Sequence, residues 1–299
     1  MATDLDKLLS FLIVEEIGED VFRGTSPPRP RRVFGGQVAA QSLDAATRTV
    51  DKDRLAHAMH AYFLRPGDPA KDIQFEVERR RDGRSFTTRD VVARQDGVAI
   101  FNTSISFHIH EEGLEHNADM PDVPGPNGLK DLFDVPAELL DRVPMKMRRF
   151  LTEQRPFEFR PVEAISFTEP VALPPVKHCW IRAVDALPDD LALHQNLLAY
   201  VSDYELLGAS VLPHGLTFGR GNVIMASLDH GLWFHRRFRV DQWLLYAIDS
   251  PNAAAARGFA RGQLFTEDGV LVASTVQEGL IRVVEPEENN TRTDPRLQV

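Results

Sequence analysis

Leu191-Ala192-Leu193-His194-Gln195-Asn196-Leu197-Leu198-Ala199-Tyr200-Val201-Ser202-Asp203-Tyr204-Glu205-Leu206-Leu207 is the stretch on which the fold turns. At 100° per residue, Leu191, Leu197, Leu198, Val201, Tyr204, Leu206 and Leu207 cover most of a helix surface, and a helix that is apolar nearly all round is a buried one. Something must wrap it. The flanking runs His178–Val184, Val223–Phe238, Trp243–Asp249, Ala256–Phe265 and Val270–Val284 read as strands.

The first part of the chain repeats this grammar. Gly35-Gly36 opens a helix of small residues through about Thr47, after a short docking helix over residues 5–14. The runs His57–Leu64, Ile73–Arg79, Thr87–Gln95 and Val98–His108 read as strands. Phe63-Leu64-Arg65-Pro66 matches Phe234-His235-Arg236-Arg237, and the hairpin signal Asp96-Gly97 matches Asp268-Gly269. The order of landmarks points to an internal duplication. The expected class is α+β, two curved antiparallel sheets each wrapped around a helix. The expected division is an N-terminal unit over 1–110, a proline-punctuated linker over 111–156 with one or two short helices, a C-terminal unit over 157–284, and a polar, disordered tail over 285–299.

Against this frame three residues stand out. Asp203 lies in the apolar helix, Ser227 and Gln277 in apolar strands. Burying an unpaired polar group costs about 1–3 kcal/mol, so three such groups point to mutual satisfaction or a held water. By the repeat, Gln277 falls where the first half has Ile105, and Ser227 where it has Ala56. The polar residues are departures from a shared apolar pattern, confined to the second half. An acid, a hydroxyl and a carboxamide around one water would be a hydrolytic site, although each taken singly is as well read as a satisfied core residue.

Composition narrows the field. With 299 residues, 43% apolar and 26% charged, the chain can bury a full core. A net charge of −10 argues against nucleic acid as a partner. The lone Cys179 allows no internal disulfide and fits a reducing compartment. The acidic start is unlike a signal peptide, no apolar run approaches the roughly 18 residues of a membrane span, and Arg296-Leu297-Gln298-Val299 is no recognised address. A cytoplasmic protein is expected.

Rival chemistries are weakly supported. There is no Gly-x-Ser-x-Gly elbow and no His-Glu-x-x-His. His108 and His110 read as surface residues, and Gly219-Arg220-Gly221 lacks the rest of a dinucleotide loop. No metal and no cofactor are expected. His230, three residues past Ser227, should face the other side of a regular strand, which argues against a Ser-His relay.

Taken together, Val33-Phe34-Gly35-Gly36-Gln37, His60-Ala61-Tyr62-Phe63-Leu64-Arg65-Pro66-Gly67-Asp68, Arg81-Asp82-Gly83-Arg84-Ser85-Phe86 and Phe157-Glu158-Phe159-Arg160-Pro161-Val162-Glu163 resemble the type II acyl-CoA thioesterases. So do Ser202-Asp203-Tyr204, Leu228-Asp229-His230, Trp233-Phe234-His235-Arg236, Ala256-Arg257-Gly258-Phe259 and Ser274-Thr275-Val276-Gln277-Glu278-Gly279. The resemblance runs from about residue 5 to 284 in order and spacing. It implies a double-hotdog fold and a triad on Asp203, Ser227 and Gln277, with serine where many members have threonine. It implies hydrolysis of fatty acyl-CoA by an activated water, the alternative being a non-catalytic acyl-CoA binder on the same fold. Gly35 and Gly36 are expected near the acyl group, and Arg65, Arg236, Arg257 and Arg261 near the phosphates of CoA. A homodimer or homotetramer is the expected assembly.

Overall fold

A computed structural model describes residues 3–27, 32–135, 140, 148, 155–164, 170–217 and 222–284. The first half runs α1 (Asp4–Leu12), β1 (Glu15–Gly18), β2 (Val21–Gly24), α2 (Gly35–Thr47), β3 (Arg54–Phe63), β4 (Ile73–Asp82), β5 (Phe86–Gln95) and β6 (Val98–Ile109). The second runs β7 (Phe157–Pro161), β8 (Val176–Ala183), α3 (Leu191–Val201), a 3-10 helix (Leu206–His214), β9 (Val223–Ser227), β10 (Asp229–Phe234), β11 (Leu244–Ala254), β12 (Arg257–Thr266) and β13 (Leu271–Val283).

The described strands form one antiparallel sheet in the order β1-β2-β4-β5-β6-β3-β10-β13-β12-β11-β8-β7, with β9 beside β13. Outward from the β3–β10 join, the two halves have the same order of corresponding strands, so the duplication is built into the topology. At the join His60 pairs with Gly231. Each stands five residues before its arginine, Arg65 or Arg236, so each pairs with its own counterpart, as a local two-fold relation requires. The turn glycines Gly97 and Gly269 share a left-handed backbone, φ 77° and 85°.

α2 and α3 lie against one another inside the sheet and bury most of their residues. One apolar cluster spans both halves, from Phe75, Phe101 and Phe107 to Leu197, Leu198 and Leu264. The segment after β6 crosses the second half: Trp180 donates to the Pro124 carbonyl at 2.9 Å, and Met120, Val123 and Leu129 pack beside Trp180 and Trp243. Of the linker, in which one or two short helices are expected, residues 136–139, 141–147 and 149–154 lie outside the described residues, while 140 and 148 are helical. The tail from Glu285 and the Gly219-Arg220-Gly221 loop also lie outside them.

Two expected elements are divided. The helix read through Leu207 stops at Val201, and Asp203 sits in the turn that follows. Carbonyls at this helix end are taken by side chains: Ser202 Oγ donates to Ala199 and the Tyr246 hydroxyl donates to Ser202. The strand read from Val223 to Phe238 breaks at Leu228 into β9 and β10. The same irregularity marks the first half, where β3 shifts register at His57, the position corresponding to Leu228.

Candidate active site

Asp203, Ser227 and Gln277 meet. Asp203 Oδ1 accepts from Gln277 Nε2 at 2.6 Å and from Ser227 Oγ at 3.1 Å. Its other oxygen, Oδ2, accepts the backbone N–H of Gly36 at 3.0 Å. Three donors therefore converge on one carboxylate from α2, β9 and β13, and the positive end of α2 points toward it. Desolvation by burial nevertheless dominates and pushes the carboxyl up to about 6, while the hydrogen bonds from Gln277, Ser227 and Gly36 pull it down. The group is mostly ionised near neutral pH yet basic enough to take a proton.

Glycines make the close approach possible. A Cβ on Gly35 would stand 2.7 Å from Asp203 Oδ2, and one on Gly36 would stand 2.2 Å from the Tyr200 carbonyl oxygen. Gly36 thereby acts through its N–H on the acid. Phe34, Tyr200 and Tyr204 close one side, with ring centroids 5.2 Å apart for Phe34 and Tyr200 and 4.5 Å for Phe34 and Tyr204.

The register supports the duplication test. Ser227 pairs with Gly279 where Ala56 pairs with Phe107. Gln277 pairs with Ala260 where Ile105 pairs with Arg89. The helices can now be aligned from their caps: Asp203 lies thirteen residues past Asp190, and Thr47 thirteen past Phe34. Thr47 spends its hydroxyl on its own helix, at the Leu43 carbonyl.

One member of the cluster escapes the strand-parity argument. His230 is buried rather than facing away, with Nδ1 at 3.3 Å from Gln277 Nε2 and Nε2 at 3.0 Å from Ser202 Oγ. The break at Leu228 inserts a residue, so Ser227 and His230 face the same side although three apart. The repeat carried the signal: six residues before Arg65 stands buried Met59, and six before Arg236 stands His230.

The four arginines are not part of this cluster. Arg65 donates to the Ala99 carbonyl and Arg236 to the Leu271 carbonyl. Arg257 pairs with Glu278 at 2.9 Å, and Arg261 hydrogen-bonds Asp249 at 3.0 Å. On β12 the buried Gly258 and Ala260 face the core, so Arg257 and Arg261 project from the other face. Cys179 is buried and its thiol is pushed well up by desolvation, as befits packing.

This fold defines a double-hotdog protein, and comparison with known proteins gives its family. Residues 149–280 match the family Acyl-CoA thioesterase, and residues 24–108 match the family Acyl-CoA thioesterase N-terminal domain. Acyl-CoA thioesterase 2 of Haemophilus influenzae is 38% identical over 95% of this chain and 100% of its own length. The crystal structure of acyl-CoA thioesterase II TesB2 from Mycobacterium marinum superposes with a TM-score of 0.75 at 37% identity, covering 94% of this chain and 100% of that one. A conserved protein with a hot dog fold from Alicyclobacillus acidocaldarius shares the fold at a TM-score of 0.74 and 20% identity, covering 93% of this chain and 99% of that one. The chain belongs to the acyl-CoA thioesterase family. No helix among the described residues is long and apolar enough to cross a membrane.

Proposed function

We propose that the protein hydrolyses fatty acyl-CoA to a free fatty acid and CoA, with Asp203 as general base toward a water. The observation that carries this is the carboxylate of Asp203, raised to about 6 and pinned by Gly36, Ser227 and Gln277. Water is a weak nucleophile, and a fixed base that removes its proton as it attacks supplies the missing reactivity. The water oxygen adds to the thioester carbon while its proton passes to Asp203. Collapse of the tetrahedral intermediate breaks the C–S bond, and the proton on Asp203 leaves with the thiolate as CoA thiol. The donors around Asp203 suit this cycle, because all three support the ionised acid to which the site must return.

Gly35 and Gly36 keep the approach to the acid open, and we assign them to the acyl-binding region. Arg65 and Arg236 are assigned to holding the fold. Arg257 and Arg261, whose exposed carboxylate partners an anionic ligand can displace, are assigned to the phosphates of CoA. A homodimer or homotetramer belongs to the same proposal, since among the described residues β1 and β7 end the sheet with no strand paired on their outer edges; sedimentation reads it. A cytoplasmic location is supported by the single, buried, unbridged Cys179. The test is release of free thiol from acyl-CoAs of graded length by the wild-type protein and by Asp203→Asn. Tight binding of acyl-CoA without thiol release would replace the enzyme with a binding protein.

A further inference from the structure

His230 is 2% exposed and takes no part in the steps above. Its neighbours fix where every proton in its network lies. The Ala199 carbonyl can only accept, so Ser202 Oγ, 3.2 Å away, donates to it. That hydroxyl then accepts from His230, whose Nε2 lies 3.0 Å off and must carry the ring proton. Nδ1 is left bare and accepts one amide proton of Gln277 at 3.3 Å. The other amide proton of Gln277 goes to Asp203 Oδ1 at 2.6 Å. Both Gln277 donors are thus engaged, while its Oε1 is buried with no hydrogen-bond partner among the described residues.

The chain has built this network only where the acid stands. In the first half Met59 and Ile105 are partners across β3 and β6. Continued one step from Gly231 and Val276, the register of β10 and β13 places His230 opposite Gln277. An apolar pair has become a hydrogen-bonded pair. Ser202, the far end of the network, stands twelve residues past its helix cap, where α2 has Ala46.

We propose that His230 is a positioning residue of the hydrolytic site, which holds the Gln277 carboxamide so that Oε1 accepts a hydrogen bond from the attacking water, whose other proton goes to Asp203, and Nε2 is not spent on the oxyanion. The inference rests on the reading of Asp203 and Gln277 as hydrolytic residues. While Asp203 is ionised it favours this orientation by itself, because a reversed amide would set Oε1 against a carboxylate oxygen. Once Asp203 has taken the proton of the water it can donate, and its hold on the orientation is lost. His230 Nδ1 accepts in both states and keeps the amide from turning over while Asp203 carries the proton. Burial holds the imidazole neutral, lowered to about 4, so the lone pair on Nδ1 persists at the pH of catalysis.

Three substitutions separate this role from core filling. In His230→Asn the side-chain oxygen stands where Nδ1 stands and can still accept from Gln277. His230→Gln reaches Ser202 but offers no acceptor at the Nδ1 place, and His230→Met copies the first half. Thiol-release kinetics and melting are measured on all three beside Asp203→Asn. The expected result is kcat within about threefold of wild type for Asn, a loss of roughly 10–100-fold for Gln and Met, and KM within about twofold throughout. Full activity in Gln with loss in Asn would make Ser202 the partner that matters and overturn the proposal; so would wild-type kcat in Met. Nitrogen-15 shifts of the wild-type imidazole are independent of variant folding: a proton on Nε2 is required, and one on Nδ1 contradicts the proposal. If Asp203→Asn itself kept full turnover, the hydrolytic reading would fail. If it lost turnover while all three His230 variants kept theirs, only the positioning role would fail.

Discussion

Arg65 and Arg236 make the same hydrogen bond in the two halves of the molecule. Arg65 Nη1 donates to the Ala99 carbonyl at 2.8 Å, and Arg236 Nη1 donates to the Leu271 carbonyl at 3.1 Å. Each acceptor lies two residues after the hairpin glycine, Gly97 or Gly269. The backbone repeats the match: Leu64 and Arg65 donate to Ile100, as His235 and Arg236 donate to Val272. The arginine is a latch that ties the end of one strand to the next hairpin, which accounts for its recurrence in a half without the Asp203–Ser227–Gln277 cluster.

Arg65→Met should therefore destabilise the protein by roughly 0.5–1.5 kcal/mol, the worth of one lost hydrogen bond, seen as a lower melting temperature, and leave KM for acyl-CoA within about twofold. An unchanged melt with KM raised tenfold would transfer Arg65 to substrate binding.

If Asp203 is the general base proposed here, its raised carboxyl should set the pH dependence. A general base works ionised, so kcat/KM should rise with pH through about 6 and level off above it. One unit below that value turnover should be about tenfold under the plateau, as for a single titrating base. A flat profile from pH 5 to 8 would remove Asp203 from proton transfer.

Ser227→Ala deletes one of the donors that pull the Asp203 carboxyl down. The acid limb of the profile should move to higher pH, and kcat at pH 7 should fall by roughly 10–150-fold, the scale of one hydrogen bond to a charged group. Ser227→Thr keeps the hydroxyl and should keep the limb in place. Equal profiles for Ala and wild type would show that Ser227 does not govern the acid.

Gly36→Ala places a methyl 2.2 Å from the Tyr200 backbone oxygen, where neither helix can yield alone. It should destabilise the protein by roughly 1–3 kcal/mol, as overpacking does, and withdraw the Gly36 N–H from Asp203. A variant with wild-type melting and turnover would contradict the close approach of α2 and α3.

Much of this architecture was legible because burial leaves a periodic trace. β3 to β6 and β11 to β13 fall within a few residues of the apolar runs; Ser227 and Gln277 stand out as polar exceptions to a repeated apolar pattern, and Asp203 as the acid in an apolar helical stretch. What was missed has physical reasons. β1 has four residues, all exposed, and so no apolar alternation to read. The end of α3 at Val201 was hidden because Leu206–Leu212, in a 3-10 helix, is mostly buried in turn, and apolar periodicity does not distinguish the two helices. His230 was assigned to the wrong face because a register shift at Leu228 cannot be counted from side-chain parity.

The central claim is that Asp203 removes the proton of the attacking water. Thiol release from a fatty acyl-CoA, followed across pH for wild type and Asp203→Asn, tests it most directly. The account predicts a fall in kcat of roughly 10²–10⁴ with KM little changed, and loss of the limb near pH 6. An Asp203→Asn protein that turns over at the wild-type rate with the same pH limb would contradict it.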